Sequence, residues 1–406
     1  MDFSKRNHRR AARLLSRPWA AKVDAELNDC IRMMARGRGS AARMVQCSPD
    51  LRAQLASVAV RRSSEGHKHL SMNLRAAKHR FESYSKPLGR SIRWLPRLVK
   101  LMAKVSHTRT GTPKQRATAW LKWLSPRRVL LAAMAADAAD EAMLVTRVFD
   151  KEQFDVARVS TMLSDFLCRI EMLFGQGGGC LRGMGFTRFI VRTLSREPPV
   201  WNLGGRIYSL QEPSEDDCQW ALGRMRIWCR LAQETIAAEF PAYEISQAFR
   251  VFNLHNRTAA WQPSDEYYED LARLAQVCGC NSAGLITEIG VLEPAARREY
   301  ASISCNRQAW QSAWAHWTKN QAHVRRSQRT PLPNLHAVLL RYLAFTASTS
   351  GVEQTFTLGM RACTVFQQSA TERYEETLMR LVVDSPGLEK TQLLHNASRM
   401  YSQPGD

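Results

Sequence analysis

Apolar side chains recur every three to four residues through most of this 406-residue chain, and that spacing constrains its fold more than any other feature. Val159, Leu163, Phe166, Ile170 and Leu173, for example, fall on one face of a helix. The period-two alternation of a half-buried strand is convincing only near residues 200–212. We therefore expect a mainly α protein with at most a few short strands in that interval.

Helical periodicity predicts long helices at residues 127–149 and 156–174, and a further helix at residues 307–319. The glycine-rich run 175–179 ends the second of these and opens an interval rich in glycine and proline that extends to about residue 217. Glycine-rich loops can cradle phosphate, but no Gly-Lys-Ser/Thr sequence follows this one. We expect a flexible connection here.

Basic residues are concentrated in the first third of the chain, although its overall net charge is +21. Residues 1–130 contain 30 lysines and arginines against 7 aspartates and glutamates, a local charge of +23, whereas residues 131–406 carry −2. Such a block attracts phosphate backbones and releases their counterions. We expect salt-sensitive, sequence-independent DNA binding within residues 1–130. The alternative is a basic surface that only keeps the protein soluble.

Several functional classes do not fit this composition. The N-terminus lacks the apolar core of a signal peptide, and no uninterrupted apolar run is long enough to span a bilayer. Ten cysteines without a CxxC pair favour reduced thiols over a disulfide framework or a zinc finger. We therefore expect an intracellular protein with no membrane association and no structural metal.

Residues 333–383 contain three short apolar helices, which need a further surface from this chain or from a second chain to bury their apolar faces. We expect this segment to mediate self-association, giving a homo-oligomer. The side chains expected at the contact are Leu335, Val338, Leu339, Tyr342, Leu343, Val352, Phe356, Leu378, Leu381 and Val382.

The sequence TASTSGVEQTFT at residues 346–357, between an apolar and an amphipathic helix, resembles the C-terminal dimerisation region of hAT-superfamily DNA transposases. That family has a turn of the form S-x-x-x-E-R-x-F-S at this place; Gln354 stands in the position of its Arg and Thr357 in that of its last Ser. In the family this segment completes an RNase H-like catalytic core. The resemblance implies that Glu353 corresponds to the last of three acidic metal ligands.

A second segment, AAKHRFES at residues 76–83, resembles the T-R-W-N-S sequence at which the helical insertion domain of these transposases begins. Arg80 and Phe81 occupy the places of its Arg and Trp, and the family's aromatic residue is implicated in stacking near the reacting DNA end. The expected fold is a helical insertion domain followed by the C-terminal helical segment of an RNase H-like core, without most of its sheet. The expected organisation is a basic segment at 1–75, the insertion-like domain at 76–330, the dimerisation region at 331–385 and a tail at 386–406.

We take the residues expected to contact DNA from this resemblance and from the basic clusters in the first third of the chain. From residue 91 to 124, arginines and lysines are interleaved with Trp94, Trp120 and Trp123. This mixture suits single-stranded or distorted nucleic acid, but tryptophans at helix spacing are more often core residues. The expected DNA-binding residues are Arg9, Arg10, Arg80, Phe81, Arg90, Arg93 and Arg97.

Catalysis in an RNase H-like site needs two divalent ions held by about three carboxylates. No aspartate in residues 1–70 lies in an apolar, β-branched run of the kind a central strand requires. We therefore expect no cofactor for this chain; Mg²⁺ or Mn²⁺ would belong to a complete transposase.

Three functions remain open from the sequence. The first is a nuclear, hAT-derived protein that binds DNA and self-associates without catalysis of its own. The second is the C-terminal part of an active RNase H-like transposase or nuclease. The third is a helical nucleic-acid-binding scaffold unrelated to transposases.

Overall fold

The computed structural model describes residues 24–60, 74, 85–149, 155–239, 243–320 and 332–344, apart from residues 38, 256, 258 and 259. The chain divides into two compact units, of which the first comprises residues 1–148 and 155–345. The second unit, residues 149–154 and 346–406, lies almost entirely outside the described residues. The expected domain boundaries near residues 75, 330 and 385 also fall outside them.

The described part of the chain contains fifteen α-helices, one two-stranded hairpin, a π-helical turn (Arg32–Arg36) and three short 3-10 segments. The elements are α1 (Ala25–Ile31), α2 (Ala41–Gln46), α3 (Pro49–Val60), α4 (Ser85–Arg93), α5 (Leu95–Thr108), α6 (Gly111–Trp123), α7 (Pro126–Phe149), α8 (Val159–Phe174), α9 (Phe186–Arg196), β1 (Val200–Leu203), β2 (Arg206–Ser209), α10 (Glu215–Glu239), α11 (Tyr243–Ala248), α12 (Asp265–Cys278), α13 (Ser282–Ile303), α14 (Asn306–Asn320) and α15 (Pro333–Ala344).

The expectation of a mainly α protein is confirmed. The predicted helices at 127–149, 156–174 and 307–319 correspond to α7, α8 and α14 within a few residues. The strands lie where the alternation placed them, and β1 pairs antiparallel with β2 through Gly204 and Gly205. Both glycines have positive φ, 60° and 85°, as a tight hairpin turn requires.

The prediction of a flexible connection at 175–217 is wrong, because this interval contains the eleven-residue helix α9 as well as the hairpin. Thr187, Ile190 and Leu194 are buried on one side of α9, and arginines occupy the other side. The helix was missed because its apolar face has few residues and glycines flank it, so its periodicity is weak in the sequence.

Helix α7 is the centre of the described fold, because every side chain from Val129 to Ala139 is buried. A helix buried all round packs against neighbours on each side. The Cys30 thiol of α1 donates to the carbonyl of Arg128 at the start of α7. Further along, Glu141 pairs with Arg169 of α8 (Nε–Oε2, 2.7 Å). α7 therefore links the N-terminal helices with the middle of the chain.

Helix α15 is held against this helical body by polar contacts at both of its ends. At its N-terminus Glu288 of α13 accepts hydrogen bonds from the Leu335 N–H (2.7 Å) and the Asn334 side-chain amide (2.7 Å). Near its C-terminus the Tyr342 hydroxyl donates to the buried Asp155 (2.8 Å). The Tyr342 ring also stacks on Phe252, with 4.5 Å between centroids. The helix is thereby an integral part of the first unit.

Candidate nucleic-acid interface

Six basic side chains follow one face of the adjoining helices α4 and α5. They are Lys86, Arg90, Arg93, Arg97, Lys100 and Lys104, at successive spacings of four, three, four, three and four residues. With 3.6 residues per turn, this spacing keeps the side chains on one face. Only Trp94 separates the two helices. Its N–H donates to the Arg90 carbonyl and its carbonyl accepts from the Leu98 N–H, and each bond is 2.9 Å long. We call these six residues the basic stripe; it is about 27 Å long.

Most side chains of the basic stripe are exposed to solvent, and most are not paired with a carboxylate of the same chain. Lys86, Arg93, Lys100 and Lys104 are exposed, and Arg97 is half-buried. Within the described residues, none of these five has a carboxylate within ion-pair distance. Lys104 does hydrogen-bond the neutral side chain of Gln54 (3.2 Å). Unpaired charges in such a row leave their electrostatic attraction available for an external anion.

Helix α9 adds a second row of arginines. Arg188, Arg192 and Arg196 are four residues apart, so they project from the same side of the helix. Arg192 and Arg196 are exposed and Arg188 is half-buried. These three arginines lie beyond residue 130, and counting charge along the sequence therefore did not identify them.

The orientation of α9 is set by Asp137 of the central helix. The Asp137 carboxylate accepts hydrogen bonds from the Phe186 N–H (2.6 Å), the Thr187 N–H (3.0 Å) and the Thr187 hydroxyl (2.6 Å). Burial raises the pKa of Asp137 above its usual range, against these hydrogen bonds, which favour the ionised form. The first turn of α9 is thus already capped from within the protein, and an anion bound there would have to contact side chains instead.

Helices α4 and α9 meet at Gly89 and Phe186. A Cβ atom at position 89 would lie 2.3 Å from Cζ of Phe186, so only glycine allows this approach. The guanidinium of Arg93 lies over the same ring, 5.0 Å from its centroid. This cation–π contact places a member of the basic stripe beside the start of α9. The two rows of basic residues therefore border one another.

The tryptophans interleaved with these basic residues are mainly core residues. Trp120 is fully buried and its indole N–H donates to the carbonyl of Met33 (3.1 Å). Trp123 is also buried, and its N–H donates to Asp29 (2.7 Å). Trp94 is half-buried, with Arg97 over its ring at 5.3 Å. For Trp120 and Trp123 the core interpretation is therefore correct.

Of the DNA-contacting residues expected from the sequence, Arg90, Arg93 and Arg97 are brought together in the basic stripe. Sequence reasoning did not select Lys86, Lys100 and Lys104, although the alternating spacing of three and four residues could have identified them. The other four expected residues lie outside the described residues; they are Arg9, Arg10, Arg80 and Phe81.

The residues expected to mediate self-association are divided between the interior of the first unit and the rest of the chain. Leu335, Val338, Leu339 and Tyr342 are each at most 2% exposed, and Leu343 is half-buried. Leu340 is the exposed apolar side chain of this helix, at 54%. The four buried side chains are therefore covered within one chain. Glu353 and the remaining expected contact residues lie outside the described residues, and these are Val352, Phe356, Leu378, Leu381 and Val382.

The described residues contain no group of three or more His, Cys, Asp and Glu side chains placed to hold a metal ion. No described helix is long and apolar enough to cross a bilayer.

No protein-family model, curated protein or solved structure matches this chain. Inference about its function therefore depends on its own residues and on the resemblance of its two short segments.

Proposed function

We propose that this protein binds DNA through the phosphate backbone and that the basic stripe on α4 and α5 is the main contact surface. The observation that carries the proposal is the regular row of cations, of which Lys86, Arg93, Arg97, Lys100 and Lys104 have no carboxylate within ion-pair distance among the described residues. A duplex presents about one negative charge per 1.7 Å of its axis, so a row about 27 Å long faces many phosphates at once.

The stripe favours contact with phosphates over reading of base sequence. Its members are lysines and arginines, with no Asn, Gln or Glu among them to recognise other base edges. Contacts to phosphate position a protein on DNA without specifying the sequence. The expected binding is sequence-independent and strongly dependent on salt.

Fluorescence anisotropy with a labelled duplex at several salt concentrations tests the proposal. The double variant Lys86→Gln and Lys100→Gln removes two exposed cations, neither of which has an ion-pair or hydrogen-bond partner within the described residues. If both contact phosphates, the slope of log K against log salt falls in magnitude by about 1.8, since each phosphate neutralised contributes about 0.9.

The matched control changes Arg230 and Arg298 to Gln. Both are exposed, on α10 and α13, and the control removes the same net charge as the test variant. The control should keep the wild-type slope. Equal slopes for the test and control variants would show that binding responds only to overall charge, and the basic stripe would then not be the contact surface.

We further propose that the chain derives from a hAT transposase and does not cleave DNA on its own. Support comes from the resemblance at residues 346–357 and 76–83 and from the missing strand-borne aspartates in the sequence. Glu353→Gln should leave DNA affinity unchanged. Nicking of transposon-end DNA with Mg²⁺ or Mn²⁺, lost in Glu353→Gln, would instead identify an active nuclease.

For self-association through the C-terminal region, we infer that the buried face of α15 is not the contact. Leu339 is inside the protomer, whereas Leu340 is 54% exposed. Sedimentation velocity should show that Leu340→Asp folds normally and loses any association mediated by the outer face of α15. Leu339→Asp should destabilise the fold itself, because it places a charge in the core. A folded, monomeric Leu339→Asp variant of an oligomeric wild type would contradict this inference.

A further inference from the structure

A shallow groove of about 280 Å³ runs along the outer side of α9. Its walls include Arg188, Arg192, Arg196, Phe189 and Met184. Phe189 is 40% exposed and Met184 is 97% exposed, so the groove is open to solvent. The groove therefore presents an exposed phenyl ring and an exposed thioether beside three arginines.

These side chains supply the two contacts that unstacked nucleic acid requires. Guanidinium groups bind phosphate oxygens, and an aromatic ring provides a flat apolar face on which a base can stack. Phe189 lies three residues before Arg192, so these two side chains are neighbours on the helix surface, and Arg188 lines the same groove. The groove therefore has a stacking surface beside its phosphate ligands.

The shape of the groove favours part of a polymer over a free small molecule. Its lining residues all come from α9 and the turn before it, so it can contact one side of a bound nucleotide but does not enclose a small ligand. Anion binding by the N-terminus of α9 is also excluded, because Asp137 already accepts the first free N–H groups. Recognition must come from the arginines and the ring.

One end of the groove lies next to a residue that contacts the basic stripe. Gly185, which lines the groove, directly precedes Phe186, and the guanidinium of Arg93 lies over the Phe186 ring. Asp137, the carboxylate at the start of α9, is buried and accepts hydrogen bonds from α9, so it is not exposed to a strand bound there.

We propose that the α9 groove binds an unstacked nucleotide of single-stranded DNA, so that the protein prefers a duplex with a single-stranded extension over a plain duplex. The proposal rests on the proposed DNA binding and specifies the form of DNA that this surface recognises. Arginines beside exposed apolar side chains also suit an anionic bilayer. The concave groove beside a row of cations favours an extended polyanion over a flat bilayer surface.

The test compares three labelled DNAs by anisotropy with the full chain: a duplex, the same duplex with a single-stranded thymidine extension, and the thymidine strand alone. Phe189→Ala should weaken binding of the two DNAs that contain a single strand by about 5- to 150-fold, the range expected for the loss of one stacked base. Duplex affinity should stay within about twofold, since phosphate contacts do not involve the ring. Phe189→Trp should retain or strengthen the preference for the extension.

Tyr268→Ala is the matched control, because Tyr268 is an aromatic residue of similar exposure, 42%, on α12. It should change none of the three affinities. Equal losses for Phe189→Ala on plain and extended duplex, or no loss, would overturn the proposal. So would loss of binding to phosphatidylserine vesicles without any change on single-stranded DNA. If the wild-type protein shows no salt-dependent duplex binding, the proposed role of the basic stripe is wrong. Binding of the thymidine strand alone, with and without Phe189→Ala, would still test the groove.

Discussion

The hydroxyl of Tyr342 should determine how firmly α15 is attached to the first unit. It donates to Asp155, whose carboxylate also accepts from the Asn306 side-chain amide (2.7 Å) and from the Ala157 N–H (3.0 Å). Tyr342→Phe removes this donor and keeps the ring stacked on Phe252. A hydrogen bond to a charged group contributes about 1.5 to 3 kcal/mol, so local opening of α15 should become easier by that amount.

Hydrogen exchange measured by mass spectrometry on peptides from α15 is the appropriate assay. The expected loss corresponds to exchange about 10- to 150-fold faster in α15. Tyr300→Phe is the control, because its hydroxyl makes an exposed contact of 3.3 Å with His255 and should contribute little. Unchanged exchange in Tyr342→Phe, or a wild-type α15 that exchanges as fast as an unfolded peptide, would refute the conclusion that α15 is an integral part of the fold.

Three further predictions concern packing and thiols. Gly89→Ala should lower the free energy of unfolding, measured by urea denaturation, by up to about 2 kcal/mol, because the clash with Phe186 exceeds the gain in helix propensity. A more stable variant would contradict the packing of α4 on α9. Iodoacetamide should alkylate the exposed Cys168 well before the buried Cys180, as peptide mass spectrometry can establish. Burial raises the pKa of the Cys180 thiol from its usual value of 9 to about 12. The thiol therefore ionises more readily in the unfolded chain than in the folded one, so folding stability is unaffected by it below pH 9 and falls as pH rises from 9 towards 12. Cys180→Ala should flatten the decline of stability over that interval by about 1.4 kcal/mol per pH unit, and an unchanged decline would show that this thiol ionises normally in the folded protein.

The long helices were predictable because each has enough apolar residues for its periodicity to be clear. In α8, for example, Leu163, Phe166 and Ile170 are all buried as their spacing indicates. The hairpin was predictable because alternation and a glycine pair occur together. In α9, by contrast, the apolar face has only a few residues, and glycines flank it. Its stability depends on Asp137, almost fifty residues away, and no local pattern reveals such a cap.

The candidate interface was only partly predictable for a similar reason. Arg90, Arg93 and Arg97 belong to a basic block that is evident in the sequence, and their common face follows from helical spacing. The contribution of α9 depends on a tertiary contact between Gly89 and Phe186. Likewise, the apolar face of α15 predicts burial but does not identify its partner. The sequence left open a second chain or the same chain, and the structure places Tyr342 against Phe252 of the same chain.

The alanine-rich centre of α7 has a consequence for how this protein can evolve. Ala132, Ala133, Ala135 and Ala136 are fully buried, and alanine has no side-chain rotamers to lose when the helix is ordered. Any larger residue there must displace a neighbour, since interiors are close-packed. Selection for a stable fold should therefore remove substitutions in the middle of α7, whereas substitutions of the solvent-facing arginines of α9 should leave the fold intact. A lineage of such proteins can change what its surface recognises while its central helix stays nearly invariant.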